Sequence, residues 1–160
     1  PELQGPRHLT FHPAMDMVYF VNENGSSVTA CNFDTEQGTL TPFQTISTLP
    51  AGFEGENACA EIRISPTAEY VYASNRGHDS IAAFSVDGST GALELISHTP
   101  TEAGPRSFDI DPDGAYLIVA GQNSGKLATY RIDDETGHLT ALQTLDVGGG
   151  PIWVMALDLG

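Results

Sequence analysis

The sequence predicts an all-β protein and, within that class, a β-propeller. Three observations predict it: a pattern recurring about every 46 residues, four short strand-like runs in each copy, and a high content of turn-forming residues. Seventeen Gly and ten Pro among 160 residues call for many turns, hence many short strands. The hydrophobic share of 40% is that of an ordinary globular domain with a real core.

Three segments align on an anchoring proline: Pro13, Pro66 and Pro112. An Asp follows each anchor by 21 residues (Asp34, Asp87, Asp133), a Gly by 25 (Gly38, Gly91, Gly137) and a Leu by 27 (Leu40, Leu93, Leu139). The last two anchors lie 46 residues apart and the first two 53 apart, which places a seven-residue insertion between Leu49 and Ala58.

Each unit begins with a strand that alternates apolar and polar residues. Leu9 and Phe11, Ile62 and Ile64, and Phe108 and Ile110 would share a face. The proline turn ends it. The second strand is almost continuously apolar, as expected of a strand covered on both faces. The third covers residues 28–33, 81–86 and 127–132. An Asp-x-x-x-Gly hairpin then leads to the fourth. The recurring Asp34, Asp87 and Asp133 are turn caps in this reading. Cys31 takes the repeat position of Phe84 and Tyr130, a core position.

The repeat units run over residues 5–49, 59–98 and 105–145, and residues 151–157 match the first strand of a further unit. Propellers close with four to eight blades. The chain is therefore expected to be the C-terminal half of a larger ring, closed by a missing N-terminal half or by a partner chain.

Net charge is −15, with six Lys and Arg together. Such a surface repels a nucleic-acid backbone, so no nucleic-acid partner is expected. No apolar run nears the ~18 residues of a membrane helix, so no membrane partner is expected either. Two isolated cysteines, Cys31 and Cys59, suit a reducing compartment, and a cytoplasmic location is expected. Zinc spacings, phosphate loops and nucleophile elbows are missing from the sequence, and no cofactor is expected.

In an antiparallel blade the start of the first strand and the end of the second lie at one end. With the first strand lining the central channel, these positions converge on one channel mouth. The first-strand starts carry Arg7-His8, Ala60-Glu61 and Arg106-Ser107. The second-strand ends carry Asn22-Glu23, Asn75-Arg76 and Gly121-Gln122. Three of the six cations thus point to one rim. Glu23, Arg76 and Gln122 share one repeat position, ten after the proline, and differ in charge while their surroundings repeat. That contrast marks a candidate site of Arg7, Glu23, Arg76 and Arg106, with His8, Asn22 and Asn75 beside it. Of the remaining histidines, His12, His98 and His138 fall in turns or outer strands, and His78 follows the Arg76 turn. No base is evident beside Cys59.

Several stretches resemble the seven-bladed propeller lactonase family, which includes propeller-type 6-phosphogluconolactonases and fungal carboxy-muconate cyclases. They are Gly-Pro-Arg-His-Leu-Thr-Phe-His-Pro at 5–13, Val-Asn-Glu at 21–23, Gly-Glu-Asn-Ala-Cys-Ala-Glu-Ile at 55–62 and Tyr-Ala-Ser-Asn-Arg-Gly-His-Asp-Ser-Ile at 72–81. The resemblance covers essentially the whole chain, as the family's C-terminal half. It implies catalytic roles for Arg7, Glu23 and Arg76, and an active-site His in an earlier blade. The implied activity is lactone hydrolysis on a small anionic lactone, most simply 6-phosphogluconolactone. Arginines would stabilise the oxyanion and bind the anionic group, and Glu23 would activate water. His8, Arg106, Asn22 and Asn75 would contact substrate. A carboxy-muconate cycloisomerase of the same family and a non-catalytic binding propeller are the alternatives.

Overall fold

The computed structural model describes residues 4–158, which fold into twelve strands and no helix. β1 (Pro6–Phe11), β2 (Met17–Asn22), β3 (Ser27–Asp34) and β4 (Thr39–Ser47) form one antiparallel sheet in chain order. β5 (Ala58–Ile64), β6 (Tyr70–Arg76), β7 (Ser80–Val86) and β8 (Leu93–Pro100) form a second. β9 (Pro105–Ile110), β10 (Tyr116–Gly121), β11 (Lys126–Ile132) and β12 (Leu139–Asp146) form a third. Each sheet is one blade, with its first strand innermost. The insertion is visible in the connections: β4 to β5 takes residues 48–57, whereas β8 to β9 takes only 101–104.

The core lies between blades. Tyr19, Val21, Val28 and Ala30 of the first blade pack on Ile62, Ala73, Ala82 and Phe84 of the second. Tyr72, Ile81 and Ala83, from the second blade's other face, pack on Phe108, Leu117, Val119 and Tyr130 of the third. This is why the second strand of a unit must be apolar on both faces: it meets a neighbour on each side. The Tyr19 hydroxyl donates to the Gly91 carbonyl at 2.8 Å, and the Tyr72 hydroxyl donates to that of Gly137 at 3.0 Å. Both tyrosines sit six residues after the anchoring proline, so the same staple fastens each seam.

The Asp-x-x-x-Gly hairpins close as local caps. The Asp87 carboxylate accepts the backbone amides of Ser89 and Thr90, and Asp34 and Asp133 do the same for the residues two and three on. The hydroxyls of Ser89 and Thr90 on Asp87 and of Thr136 on Asp133, with these amides, hold both carboxyls below the usual carboxylate range.

Two expectations are modified. The alternating inner-strand positions are not equally covered: Ile62 and Phe108 are 0% exposed, but Leu9 at the same repeat position is 51% exposed. Each blade buries that face against the blade before it, and the first blade has none among the described residues. Residues 151–158 form no strand, although they run beside β9. The Val154 amide donates to Ser107 Oγ at 3.1 Å and the Ala156 amide to Asp109 Oδ2 at 3.0 Å. An inner strand needs the second strand of its own blade for a backbone ladder, and none is present among the described residues.

Candidate active site at the channel mouth

Each inner strand carries a β-bulge at its start. In β1, Pro6 pairs with Asn22 and Leu9 with Phe20, so Arg7 and His8 together oppose a single residue. In β5, Cys59 pairs with Asn75 and Ile62 with Ala73, which leaves Ala60 and Glu61 in the same situation. In β9 the register slips by one at Arg106. A bulge breaks the strict alternation of a strand and re-aims its side chains. Here it lets the adjacent Arg7 and His8 both reach the neighbouring inner strand. Arg7 Nη1 donates to the Ala60 carbonyl, and His8 Nδ1 lies 2.7 Å from Glu61 Oε1.

Glu23, just past β2, is held between two guanidiniums. Arg76 Nη2 donates to its Oε1, and Arg7 Nε lies 3.8 Å from the same atom. Backbone contacts fix the carboxylate's base: the Glu23 amide donates to the Gly5 carbonyl at 2.7 Å, and its own carbonyl accepts the Cys59 amide at 3.0 Å. Arg76 is fastened a second time, through Nη2 to the Cys59 carbonyl at 3.0 Å, while its buried Nε has no hydrogen-bond partner. Burial, with Arg76 and then Arg106 as like-charged neighbours, pulls the Arg7 guanidinium below its ordinary value. Arg106 makes no ion pair with any described residue. Glu23, Arg7, Arg76 and Arg106 thus share one electrostatic neighbourhood.

Beneath it runs a second charged line along the channel wall that sequence reasoning missed. Glu61 is 0% exposed. Its Oε1 accepts from His8 Nδ1, from Arg63 Nη1 at 2.5 Å and from the Ile62 amide at 3.2 Å. Arg63 Nε continues to Asp109 Oδ1 at 2.9 Å. The order is His8, Glu61, Arg63, Asp109 across β1, β5 and β9. A signal existed: His8 and Glu61 share one repeat position, and Arg63 and Asp109 share another, so equal offsets on adjacent inner strands are neighbours.

Asn22 and Asn75 do not join the site. Both are buried. The Asn22 amide donates to Ser27 Oγ and Thr29 Oγ1, and Asn75 bonds Thr48 and Asn57 of the β4–β5 connection and Ser80 of β7. Their polar atoms are satisfied by the scaffold and brace the strand ends. An open cleft of about 600 Å³ leads outward from Arg76 between the second and third blades, lined also by Glu56, Asn57, Gln122 and Asn123. Among the described residues no group of His, Cys, Asp or Glu is placed to hold a metal ion, and no helix is long and apolar enough to cross a membrane.

Blades in radial sequence around a channel, with an arginine–carboxylate cluster at its mouth, define a β-propeller. Residues 1–156 match the family described as "Lactonase, 7-bladed beta-propeller", and the chain belongs to that family. It is 43% identical over 155 residues to a 6-phosphogluconolactonase of Pectobacterium carotovorum subsp. carotovorum, covering 97% of this chain and 47% of the relative. A 6-phosphogluconolactonase of Yersinia pestis is 40% identical over 150 residues, 94% of this chain and 45% of the relative. The chain therefore spans about half the length of the curated relatives it matches. Among solved structures, a putative 6-phosphogluconolactonase from Bacteroides fragilis superposes with TM-score 0.89 at 32% identity, over 98% of this chain and 43% of that one. The periplasmic gluconolactonase of Pseudomonas aeruginosa superposes with TM-score 0.87 at 30% identity, over 94% and 42%.

Proposed function

We propose that this chain supplies the arginine-lined part of the active site of a lactone hydrolase whose substrate is an anionic sugar lactone of the 6-phosphogluconolactone kind. The observation that carries the reading is the gathering of Arg7 and Arg76 on Glu23, with Arg106 within electrostatic reach of Arg7, in a protein of net charge −15. Arg7, Arg63, Arg76 and Arg106 against the carboxylates of Glu23, Glu61 and Asp109 leave an excess of positive charge, which suits an anionic ligand. The names of the relatives point the same way.

Hydrolysis adds water to the lactone carbonyl and places negative charge on its oxygen. Arg7 and Arg76, fastened to blade backbone, offer pre-oriented donors for that oxyanion. Arg106, without an ion-pair partner among the described residues, is the cation left to take the substrate's phosphate. Glu23 keeps both arginines in place and can face water through Oε2, since both guanidiniums address Oε1. The remaining blades, from further chain or a partner, enclose the channel in this reading. A cytoplasmic location accords with two free cysteines, Cys31 and Cys59.

The test is turnover by the complete protein that carries this chain. It should hydrolyse 6-phosphogluconolactone, and Arg76→Ala and Arg7→Ala should each lower kcat/KM roughly 10²-fold or more. Arg106→Ala should raise KM for the phosphorylated lactone and leave that for gluconolactone unchanged. Unaltered rates in both Arg7→Ala and Arg76→Ala would remove the cluster from the active site.

A further inference from the structure

We propose that His8 is the group that activates the hydrolytic water and that the buried Glu61 is its positioning residue. The inference rests on the lactonase reading above. It adds a base where the arginine cluster offers only electrophilic groups and a carboxylate already shared between two cations.

The geometry sets the histidine's tautomer. Glu61 is acceptor-only when ionised, so the 2.7 Å contact requires a proton on His8 Nδ1. The neutral ring then carries its lone pair on Nε2. The arrangement repeats the logic of a histidine held by a buried carboxylate through Nδ1 while Nε2 works on substrate. Arg63 bonds the same oxygen of the fully buried Glu61, pairing its charge, and Arg63 is held by Asp109 in turn. Glu61 Oε2 is buried with no hydrogen-bond partner among the described residues. The whole interaction is concentrated on Oε1, the atom that aims the imidazole. A ladder that only braced the inner strands would distribute donors over both oxygens.

Arg7 couples this pair to the cluster. Its Nη1 lies 3.4 Å from both ring nitrogens of His8. A nitrogen equidistant from the two cannot lie in the ring plane without crowding Cε1, so Nη1 lies over the ring rather than along the in-plane lone pair of Nε2. The same guanidinium reaches Glu23 at 3.8 Å. A carbonyl oxygen held by Arg7 and Arg76 therefore has its carbon within one water of His8. The His8 side chain is 31% exposed, enough for that water to enter.

The step balances without a further reactant. Water's oxygen bonds the carbonyl carbon as one of its protons passes to Nε2. The ring C–O bond then breaks, and the departing alkoxide takes that proton back from Nε2. The free acid leaves and the imidazole returns to its starting tautomer.

The experiment is steady-state kinetics on the complete protein with 6-phosphogluconolactone. His8→Gln should lower kcat by roughly 10²- to 10⁴-fold with little change in KM. Glu61→Gln should lower kcat by at least about tenfold, and Glu61→Asp should recover part of it. His8→Gly should regain turnover on addition of imidazole, a readout that a purely structural histidine does not give. His78→Gln serves as the control and should match the parent. If the parent hydrolyses the lactone and His8→Gln keeps kcat within threefold, the base assignment is overturned while the lactonase reading stands. If His8→Gly is inactive and imidazole restores nothing, the loss belongs to packing and the assignment is likewise overturned. If the parent hydrolyses no lactone, the lactonase reading falls, and the assignment with it.

Discussion

Cys59 shows how little proximity means without the right surroundings. Its backbone holds both Glu23 and Arg76, so it lies against the proposed site. Its thiol is nevertheless buried, with Thr48 Oγ1 at 3.1 Å and Asn75 Oδ1 at 3.3 Å, and burial pushes it from an ordinary 9.0 up to about 11. The folded pKa is raised, so the linked stability is intact below pH 9 and declines as pH climbs from 9 towards 11. At pH 8 the folded protein should leave Cys59 unalkylated by iodoacetamide, and denaturant should expose it. Alkylation of Cys59 at equal rates in both states would contradict the burial. At this scale the sequence was partly legible. Glu23 and Arg76 stand out because they differ at a position whose neighbours repeat. Asn22 and Asn75 are the converse: they share a repeat position that is Gly121 in the third unit and were expected beside the site, but their amides close the strand ends. Glu61 was illegible from its own strand, because its partner His8 comes from another blade.

The recurring hairpin is the element that makes one blade fit the next. Gly137 has φ of +70°, and a Cβ there would lie 2.4 Å from the Tyr70 ring. Gly38 holds the same repeat position with φ of +68°, but a Cβ would meet nothing within 4 Å. The pair separates two contributions. Gly38→Ala should destabilise by about 1 kcal/mol, from the left-handed backbone alone. Gly137→Ala should destabilise by more, because the seam to Tyr70 and the Tyr72 staple must also shift. Urea unfolding of the two variants measures the difference, and equal losses would show that the seam tolerates a methyl group. Strands, turns and hairpin caps were legible because each depends on local spacing. The inner-strand bulges were not, because a bulge is a mismatch between two strands. Neither strand's alternation records it.

The whole molecule ends in two apolar surfaces, and one residue reports on the second. At the first blade, Leu9, Phe11 and Leu40 are exposed on the face that its neighbours bury. At the other end Ile152, Met155 and Leu157 are exposed, and Trp153, the sole tryptophan, is 58% exposed. Residues 151–158 already follow β9 through Ser107 and Asp109, the course an inner strand of a further blade takes. Apolar faces of this size on an acidic protein are stable only when covered. The 160 residues produced alone should therefore associate, bind a hydrophobic dye, and show red-shifted Trp153 emission. In the complete protein strands from elsewhere in the ring should pair with residues 151–157, bury Trp153 and shift its emission to the blue. Leu9→Ser with Phe11→Ser should reduce association of the isolated chain and leave Trp153 unaltered, since the two surfaces lie on opposite end blades. Identical Trp153 emission in the isolated chain and the complete protein would mean that no blade forms on this strand. The ring would then have to close elsewhere.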